Sequence, residues 1–123
     1  MTRTHEKVGY SPAGEVQGHF TRATAAEGVE KGLQLIEGRW KLVILFHLFG
    51  GRVLRFSELE RAIPEISQKM LAQQLRRLEA DGIVRRIVYP EVPPRVEYQL
   101  TEWGQALCPA LDALLEWTAA RPT

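Results

Sequence analysis

The sequence predicts a single α+β domain, and three observations lead to that prediction. The chain has 123 residues, 45% of them apolar and 25% charged, which suits one domain with a packed core. Apolar residues recur at helical spacing over much of its length. Two runs of alternating β-branched and aromatic residues, joined by a proline-rich turn, interrupt that pattern within residues 84–100. We therefore expect several helices around one small hairpin.

The N-terminal part of the chain divides into an arm and a first helix. Residues 1–22 are polar with scattered glycine and proline, so we interpret them as a flexible arm preceding a domain of residues 23–123. Helical periodicity starts at Ala23 and stops at Ile36, because Gly38 follows. The apolar stripe of this helix comprises Val29, Leu33 and Ile36.

The next segment predicts a buried helix, a short strand and the start of another helix. The nearly unbroken apolar run from Trp40 to Leu48 indicates a helix that is buried on most sides, and the glycine pair after it ends that helix. Val53 to Phe56 has the composition of a short strand. Ser57 with Glu60 three residues later matches a capping box, which predicts a helix over residues 58–62.

A tight turn separates that short helix from a longer one. Pro64 disfavours helical conformation at the residue before it, so the short helix must stop there. Ser67 is a second N-cap residue, and its helix runs to about Ala80, with Gly82 just beyond the end. A short helix, a tight turn and a longer helix form a helix-turn-helix.

Two strands and a last helix complete the domain. Val84–Tyr89 and Arg95–Leu100 alternate as strands do, and three prolines stiffen the hairpin tip between them. Thr101 and Glu102 start one final helix, which is expected to run to about Ala119. A basic hairpin after a helix-turn-helix gives a winged helix-turn-helix, here with an additional helix at each terminus.

The longer helix presents an outward face suited to a DNA groove. At about 100° per residue, Leu71, Leu75 and Leu78 share one sector and must face the core. The opposite side carries long donors, amides and one small residue, and no acid precedes Glu79. Glutamine can bond adenine, and arginine or lysine can reach guanine or phosphate. The outward residues are Lys69, Gln73, Arg76 and Ala80.

These positions give a hypothesis for DNA contacts. The N-terminal residues of such a helix meet the base edges, whereas basic residues farther along meet phosphates. The side chains expected at the bases are Gln68, Lys69 and Gln73. The groups expected at phosphates are Arg76, Arg77 and the helix N-terminus at Ser67.

The hairpin and the charge distribution extend that hypothesis. Arg86 precedes the tip and Arg95 follows it, so at least one should project toward the DNA backbone or minor groove. Residues 52–95 carry nine Arg or Lys against six acids, a balance of +3, and residues 96–123 carry one Arg against four acids, a balance of −3. A basic middle and an acidic end are typical of a DNA-binding segment attached to an assembly helix.

Three segments resemble the HxlR-type family of bacterial winged helix-turn-helix regulators. They are GRWKLVILFHL (38–48), RFSELERAIPEISQKMLAQQLRRLEADGIVRR (55–86) and YPEVPPRVEYQLTEWG (89–104). The resemblance implies a homodimer on a palindromic or pseudo-palindromic operator, with the first and last helices forming the dimer interface. We expect repression, because a compact dimer acts most simply by blocking polymerase. The long polar arm has no counterpart in this resemblance, and the N-terminal cysteine through which some members sense oxidants is missing.

The final helix carries an apolar arc too broad for a chain of this size to cover alone, which favours a two-fold dimer. The residues expected near its seam are Val29, Leu33, Leu111, Leu115 and Trp117. Cys108 lies in the same helix. We interpret it as a small apolar thiol, since no nearby basic residue would lower its pKa, and an intersubunit thiol switch is the alternative.

Other functions find less support in the sequence. No nucleophile–His–acid set, phosphate loop or paired carboxylates indicates an enzyme, no cofactor is expected, and three scattered histidines give no metal site. A single cysteine excludes a disulfide framework. Neither a membrane-length apolar run nor a signal-peptide pattern is present, so the cytoplasm is the expected compartment.

Two rival functions stay open at this point. A domain of this fold could serve as a protein-interaction module instead of binding DNA. A small-molecule effector could also bind in a pocket between the dimer helices, lined by Trp40, Trp103 or Trp117.

Overall fold

A computed structural model describes residues 20–122, which divide into two compact units with the boundary after Glu37. The predicted flexible arm covers residues 1–22, and residues 1–19 lie outside the described residues. The described part of the first unit contains helix α1 (Arg22–Ile36), which begins one residue before its predicted start. Thr21 caps this helix: its hydroxyl accepts the N–H of Thr24 at 3.1 Å, and the Thr24 hydroxyl accepts the N–H of Thr21 at 2.8 Å.

The second unit has the α+β architecture of a winged helix-turn-helix, as the sequence predicts. Strand β3 is central in an antiparallel sheet of order β1-β3-β2. No helix within residues 20–122 is long and apolar enough to cross a membrane. The elements in chain order are α2 (Arg39–Leu48), β1 (Leu54–Arg55), α3 (Phe56–Ala62), α4 (Gln68–Ala80), β2 (Val84–Tyr89), β3 (Arg95–Leu100), α5 (Glu102–Gln105) and α6 (Cys108–Ala119).

The core of the second unit lies among α2, α3, α4 and one face of the sheet. All three α4 leucines that were predicted to face inward are buried: Leu71, Leu75 and Leu78. Helix α2 packs against both α4 and β3, so it supports α4 from the core side. The other large side chains that are fully buried here are Ile44, Leu45, Leu48, Leu59 and Val84.

Helix α3 begins earlier than predicted, and the prediction that Ser57 is its N-cap is wrong. Arg55 occupies the N-cap position. The carboxylate of Glu58, and not that of Glu60, accepts the backbone N–H of Arg55 at 2.8 Å. The chain pairs with β3 as far as Arg55 and then turns directly into the helix, so the strand is also shorter than the predicted Val53–Phe56.

Helix α4 begins and ends where the sequence predicts. The Ser67 hydroxyl accepts the backbone N–H of Met70 at 3.0 Å, which satisfies one of the donors left unpaired at a helix start. After Ala80 the chain reverses through Gly82, whose φ of +78° is a conformation that side chains with a Cβ rarely adopt. This turn delivers the chain into β2 within four residues of the helix end.

The final helical segment is two helices, so the prediction of one continuous helix is wrong. The hydroxyl of Thr101 caps α5 by accepting the N–H of Gly104 at 3.0 Å. Pro109 has no N–H to donate to the carbonyl of Gln105, and its ring would clash with that carbonyl in a continuous helix. The helix therefore breaks before Cys108, and Pro109 lies in the first turn of α6, where proline is tolerated.

Helix α5 sits close against the start of β2. The Thr101 hydroxyl donates to the carbonyl of Gly82 at 2.7 Å, and the Thr101 N–H donates to the carbonyl of Ile83 at 3.0 Å. A Cβ on Gly104 would collide with that same Ile83 carbonyl. Only glycine permits this approach, which fixes the direction in which the chain leaves the hairpin.

The sequence predicts both Ser57 and Ser67 as helix N-caps, and only Ser67 has that role in the structure, so the two serines provide a matched test of the N-cap assignments. Ser67→Ala should lower the free energy of unfolding by about 1 kcal/mol, because the Met70 N–H loses its acceptor. Ser57→Ala removes no cap and should change it by less than about 0.5 kcal/mol. Urea unfolding of both variants measures the difference, and an equal or larger loss for Ser57→Ala would contradict the assigned caps.

Candidate nucleic-acid interface

The face of α4 opposite its buried leucines is open to solvent. Lys69 and Arg76 are exposed on it, and Gln73 between them is half-buried. Gln68 and Arg77 on the flanks are also exposed. No carboxylate of the described residues lies within 4.0 Å of the charged groups of these basic side chains. Their charges are therefore available to an external anion.

The two glutamines in the middle of α4 differ in what they can bind. The Gln74 amide donates to the Met70 sulfur at 3.3 Å, which ties this side chain to its own helix. Gln73 makes no side-chain hydrogen bond with the described residues. Of the pair, Gln73 is thus the amide that can form hydrogen bonds with a ligand.

Ser67 combines two roles at the start of α4. Its oxygen accepts the Met70 N–H, and its hydroxyl hydrogen can still be donated outward. The side chain is exposed beside backbone N–H groups of the first turn, where the helix dipole favours an anion. The N-terminus of α4 can therefore offer hydrogen-bond donors to a phosphate.

A groove of about 310 Å³ lies between α4 and the hairpin formed by β2 and β3. It brings together Arg76 and Arg86, two of the side chains that the sequence analysis selects from different elements. Sequence reasoning missed Tyr98 in this groove, although Tyr98 pairs directly with Arg86 and so shares its face of the sheet. The lining residues are Ala72, Arg76, Glu79, Arg86 and Tyr98.

The two arginines predicted to act in the wing have different surroundings. The wing is the β2–β3 hairpin. Arg86 is exposed and has no described carboxylate within 4.0 Å. Arg95 is paired with Glu91 at 3.2 Å and with Glu97 at 3.6 Å, and its guanidinium lies over the Tyr89 ring at 3.9 Å from the centroid. Of the two, Arg86 is the arginine available to an external ligand.

The residues predicted for a dimer seam are mostly exposed. On α1, Val29 and Leu33 are exposed, and on α6 the exposed fractions are 58% for Leu115 and 74% for Trp117. Leu111 differs, because it is buried within the chain itself and contributes to the protomer's own packing. Exposed large apolar side chains on a helix are typical of surfaces that bind another protein.

Cys108 is half-buried near the start of α6, with its sulfur 3.9 Å from the Asp112 carboxylate. Desolvation, and then the charge and hydrogen bond of Asp112, raise the pKa of the Cys108 thiol above its ordinary value. A raised pKa lowers the fraction of reactive thiolate at neutral pH. A raised pKa favours the interpretation of Cys108 as a small apolar thiol over the alternative of a thiol switch, and that interpretation stays a prediction.

Within residues 20–122 no group of side chains suits a metal ion, and Trp117 lines a surface cavity. Residues 20–122 contain no cluster of three or more His, Cys, Asp or Glu that could hold a metal ion. A surface cavity of about 420 Å³ is lined by Trp117 but by neither Trp40 nor Trp103. The Trp40 ring is instead covered by the guanidinium of Arg39, 4.3 Å from the ring centroid.

Comparison with known proteins identifies the class to which this arrangement belongs. The profile of the HxlR-like helix-turn-helix family matches residues 35–121. The chain belongs to this family, and it is a transcriptional regulator with a helix-turn-helix DNA-binding fold and not an enzyme.

Individual relatives agree with that assignment. The HTH-type transcriptional regulator YtcD of Bacillus subtilis (strain 168) is 57% identical over 91 residues, which are 74% of this chain and 71% of YtcD. A crystal structure of YtcD, 56% identical, superposes with a TM-score of 0.69 over 74% of this chain and 92% of that one. The redox regulator HypR in its reduced form, 48% identical, superposes with a TM-score of 0.70 over 76% of this chain and 91% of that one.

The raised pKa of Cys108 gives a prediction about its reactivity. At pH 7 the wild-type thiol should react with iodoacetamide more slowly than glutathione does, because less of it is thiolate. Asp112→Asn removes the carboxylate charge and should speed the reaction. The midpoint of the rate against pH, which reports the pKa of the thiol, should move downward. Mass spectrometry of alkylated protein across pH measures both rates, and an unchanged midpoint in Asp112→Asn would contradict this account.

Proposed function

We propose that this protein is a homodimeric, sequence-specific repressor that binds a palindromic operator through α4 and the wing. The observation that carries the proposal is the solvent-exposed face of α4, whose cationic and amide side chains are unpaired while its leucines are buried. A helix with such a face can enter the major groove, where each base pair presents a distinct pattern of donors and acceptors.

Base reading is assigned to the N-terminal half of α4. Lys69 can donate to guanine, and the amide of Gln73 can donate and accept at adenine. Gln68 lies on the flank of the same turn and is exposed. These three side chains belong to the N-terminal part of the helix, which is the part of a recognition helix that meets base edges in helix-turn-helix complexes.

Phosphate binding is assigned to groups around that centre. Arg76 and Arg86 line one groove between α4 and the wing, so the phosphate backbone of one DNA strand can lie between them. Glu79 in the same groove would repel an anion near its own carboxylate, so the phosphate position that we propose lies toward the two arginines. Arg77 and the capped N-terminus at Ser67 supply further contacts on either side.

A second copy of the chain would double this surface. Helix α1 and helix α6 each carry exposed apolar side chains that could contact a partner, and a two-fold dimer matches a palindromic site. Two recognition helices must then lie about 34 Å apart to occupy successive major grooves. A bound dimer would repress by occluding the promoter, and it would do so in the cytoplasm, where chromosomal DNA lies.

Substitutions in α4 test the division between bases and phosphates. An operator is first selected from random duplexes, and affinities are then measured on it and on a scrambled duplex. Gln73→Ala should reduce the preference for the operator by about 1–3 kcal/mol and leave scrambled binding nearly unchanged. Arg76→Ala should weaken both equally and reduce the slope of log K against log salt by about 0.9.

The outcomes of that experiment separate the alternatives. Equal losses on both duplexes for Gln73→Ala would contradict its assignment to a base. Absence of wild-type binding to any duplex at low salt would favour a protein-interaction module instead.

The proposed dimer has its own test on α6. Trp117→Ala should raise the dimer dissociation constant by roughly 30-fold or more, as expected when a central interface tryptophan is truncated. Glu116 is an exposed polar neighbour of Trp117, and Glu116→Gln is the matched control. This control should change the dimer dissociation constant by no more than about twofold. Sedimentation equilibrium measures both, and a wild-type chain that stays monomeric at high micromolar concentration would refute the proposal.

A further inference from the structure

The guanidinium of Arg95 is held on several sides at the base of the wing tip, residues 90–94. One face lies over Tyr89, 3.9 Å from the ring centroid, and the two terminal nitrogens reach Glu91 at 3.2 Å and Glu97 at 3.6 Å. The Nε atom is buried without a hydrogen-bond partner in the described structure. The side chain keeps 31% of its accessible surface, and a phosphate that bound its terminal nitrogens would compete with both carboxylates.

The partners of Arg95 join both sides of the tip. Tyr89 is the last residue of β2 and pairs directly with Arg95, the first residue of β3. Glu91 lies within the tip, and its N–H donates to the Tyr89 carbonyl at 2.8 Å. Glu97 lies two residues along β3, on the same face of the sheet as Arg95. One planar cation thus connects β2, the tip and β3.

The charge of the wing is separated along its length. Residues 89–97 contain Arg95 against Glu91 and Glu97, a formal charge of −1, so the tip end has no net positive charge to offer to phosphates. At the opposite end, Arg85 and Arg86 are exposed, and no described carboxylate lies within 4.0 Å of either. The positive charge that the wing can offer to DNA is therefore at its base.

We propose that Arg95 is a positioning residue, which holds the tip in the conformation that fits DNA and contributes no phosphate contact of its own. This inference rests on the proposed DNA-binding function and assigns the wing's phosphate contact to Arg86. The planar guanidinium is essential to it, because a lysine ammonium cannot stack flat on Tyr89 while it bridges two carboxylates. Charge alone is thus insufficient at position 95.

Paired substitutions at the two arginines distinguish a positioning role from a phosphate contact. Affinity for the selected operator duplex is measured across salt for Arg95→Ala, Arg95→Lys, Arg86→Ala and Arg86→Lys. Both Arg95 variants should weaken binding by about tenfold, because a tip that is no longer held in place must be ordered when the protein binds DNA. The slope of log K against log salt should stay unchanged, since no phosphate contact is lost. Arg86→Ala should reduce the slope by about 0.9, and Arg86→Lys should restore most of it.

Removal of the acids gives a second comparison with opposite expectations. The double variant Glu91→Gln, Glu97→Gln takes two negative charges away from the DNA-facing hairpin, so simple electrostatics predicts tighter binding. A positioning role predicts weaker binding, since Arg95 loses both of its carboxylate partners. Tighter binding by this variant would overturn the proposal, as would rescue of affinity by Arg95→Lys or a reduced slope in Arg95→Ala.

A measurement without DNA keeps the proposal separate from the proposed function. In the free full-length protein, ¹⁵N relaxation should show lower order parameters at Glu91 and Val92, the two tip residues that have a backbone N–H, in both Arg95 variants, with the Arg86 variants unchanged. An unaltered tip in Arg95→Ala would refute the positioning role. If wild-type protein binds no duplex, the regulator proposal fails, and the relaxation data still decide what Arg95 does in the wing.

Discussion

The burial of three leucines on α4 is the constraint on which the interface depends. Leu71, Leu75 and Leu78 are buried against a core that includes α2, and together they fix the rotation of α4 about its axis. A helix has no other face to offer once this stripe is fixed, so Lys69 and Arg76 must point away from the core. The surface used for recognition is thus a direct consequence of core packing.

The ends of α4 define its position as strictly as its stripe defines its rotation. The Ser67 cap sets the first turn, and Gly82 allows the chain to reverse into β2. That reversal places the start of the wing next to the last turn of α4, which is how Arg76 and Arg86 come to line one groove. After the hairpin, Gly104 permits α5 to pack closely against the backbone of Ile83.

Much of this fold could be predicted from the sequence because its signals are local. The strand bounds Val84–Tyr89 and Arg95–Leu100 agree residue for residue with the alternation that predicted them, and Ser67 is the cap that its position predicted. At α3 two capping patterns compete, the predicted one of Ser57 with Glu60 and the observed one of Arg55 with Glu58, and pairing of Arg55 with β3 decides between them. Pro109 carried a local signal for the break between α5 and α6 that the apolar stripe obscured.

The roles of individual site residues depend on contacts that no local pattern reveals. Arg86 and Arg95 look similar in the sequence, since both are basic residues of the two strands that flank the hairpin tip. The register of the hairpin puts Arg95 opposite Tyr89 and on the face that carries Glu97, whereas Arg86 shares its face with Tyr98 and the groove. The pairing of strands therefore determines which arginine is free to meet DNA.

The most direct test of the interface is an NMR titration of ¹⁵N-labelled full-length protein with the selected operator duplex. The account predicts that the largest shift changes occur at the Gln73 side-chain amide, in the first two turns of α4 and at Arg85 and Arg86. Changes confined to α1 or α6, with the amides of α4 unaffected at saturating DNA, would contradict the claim that this helix reads the operator.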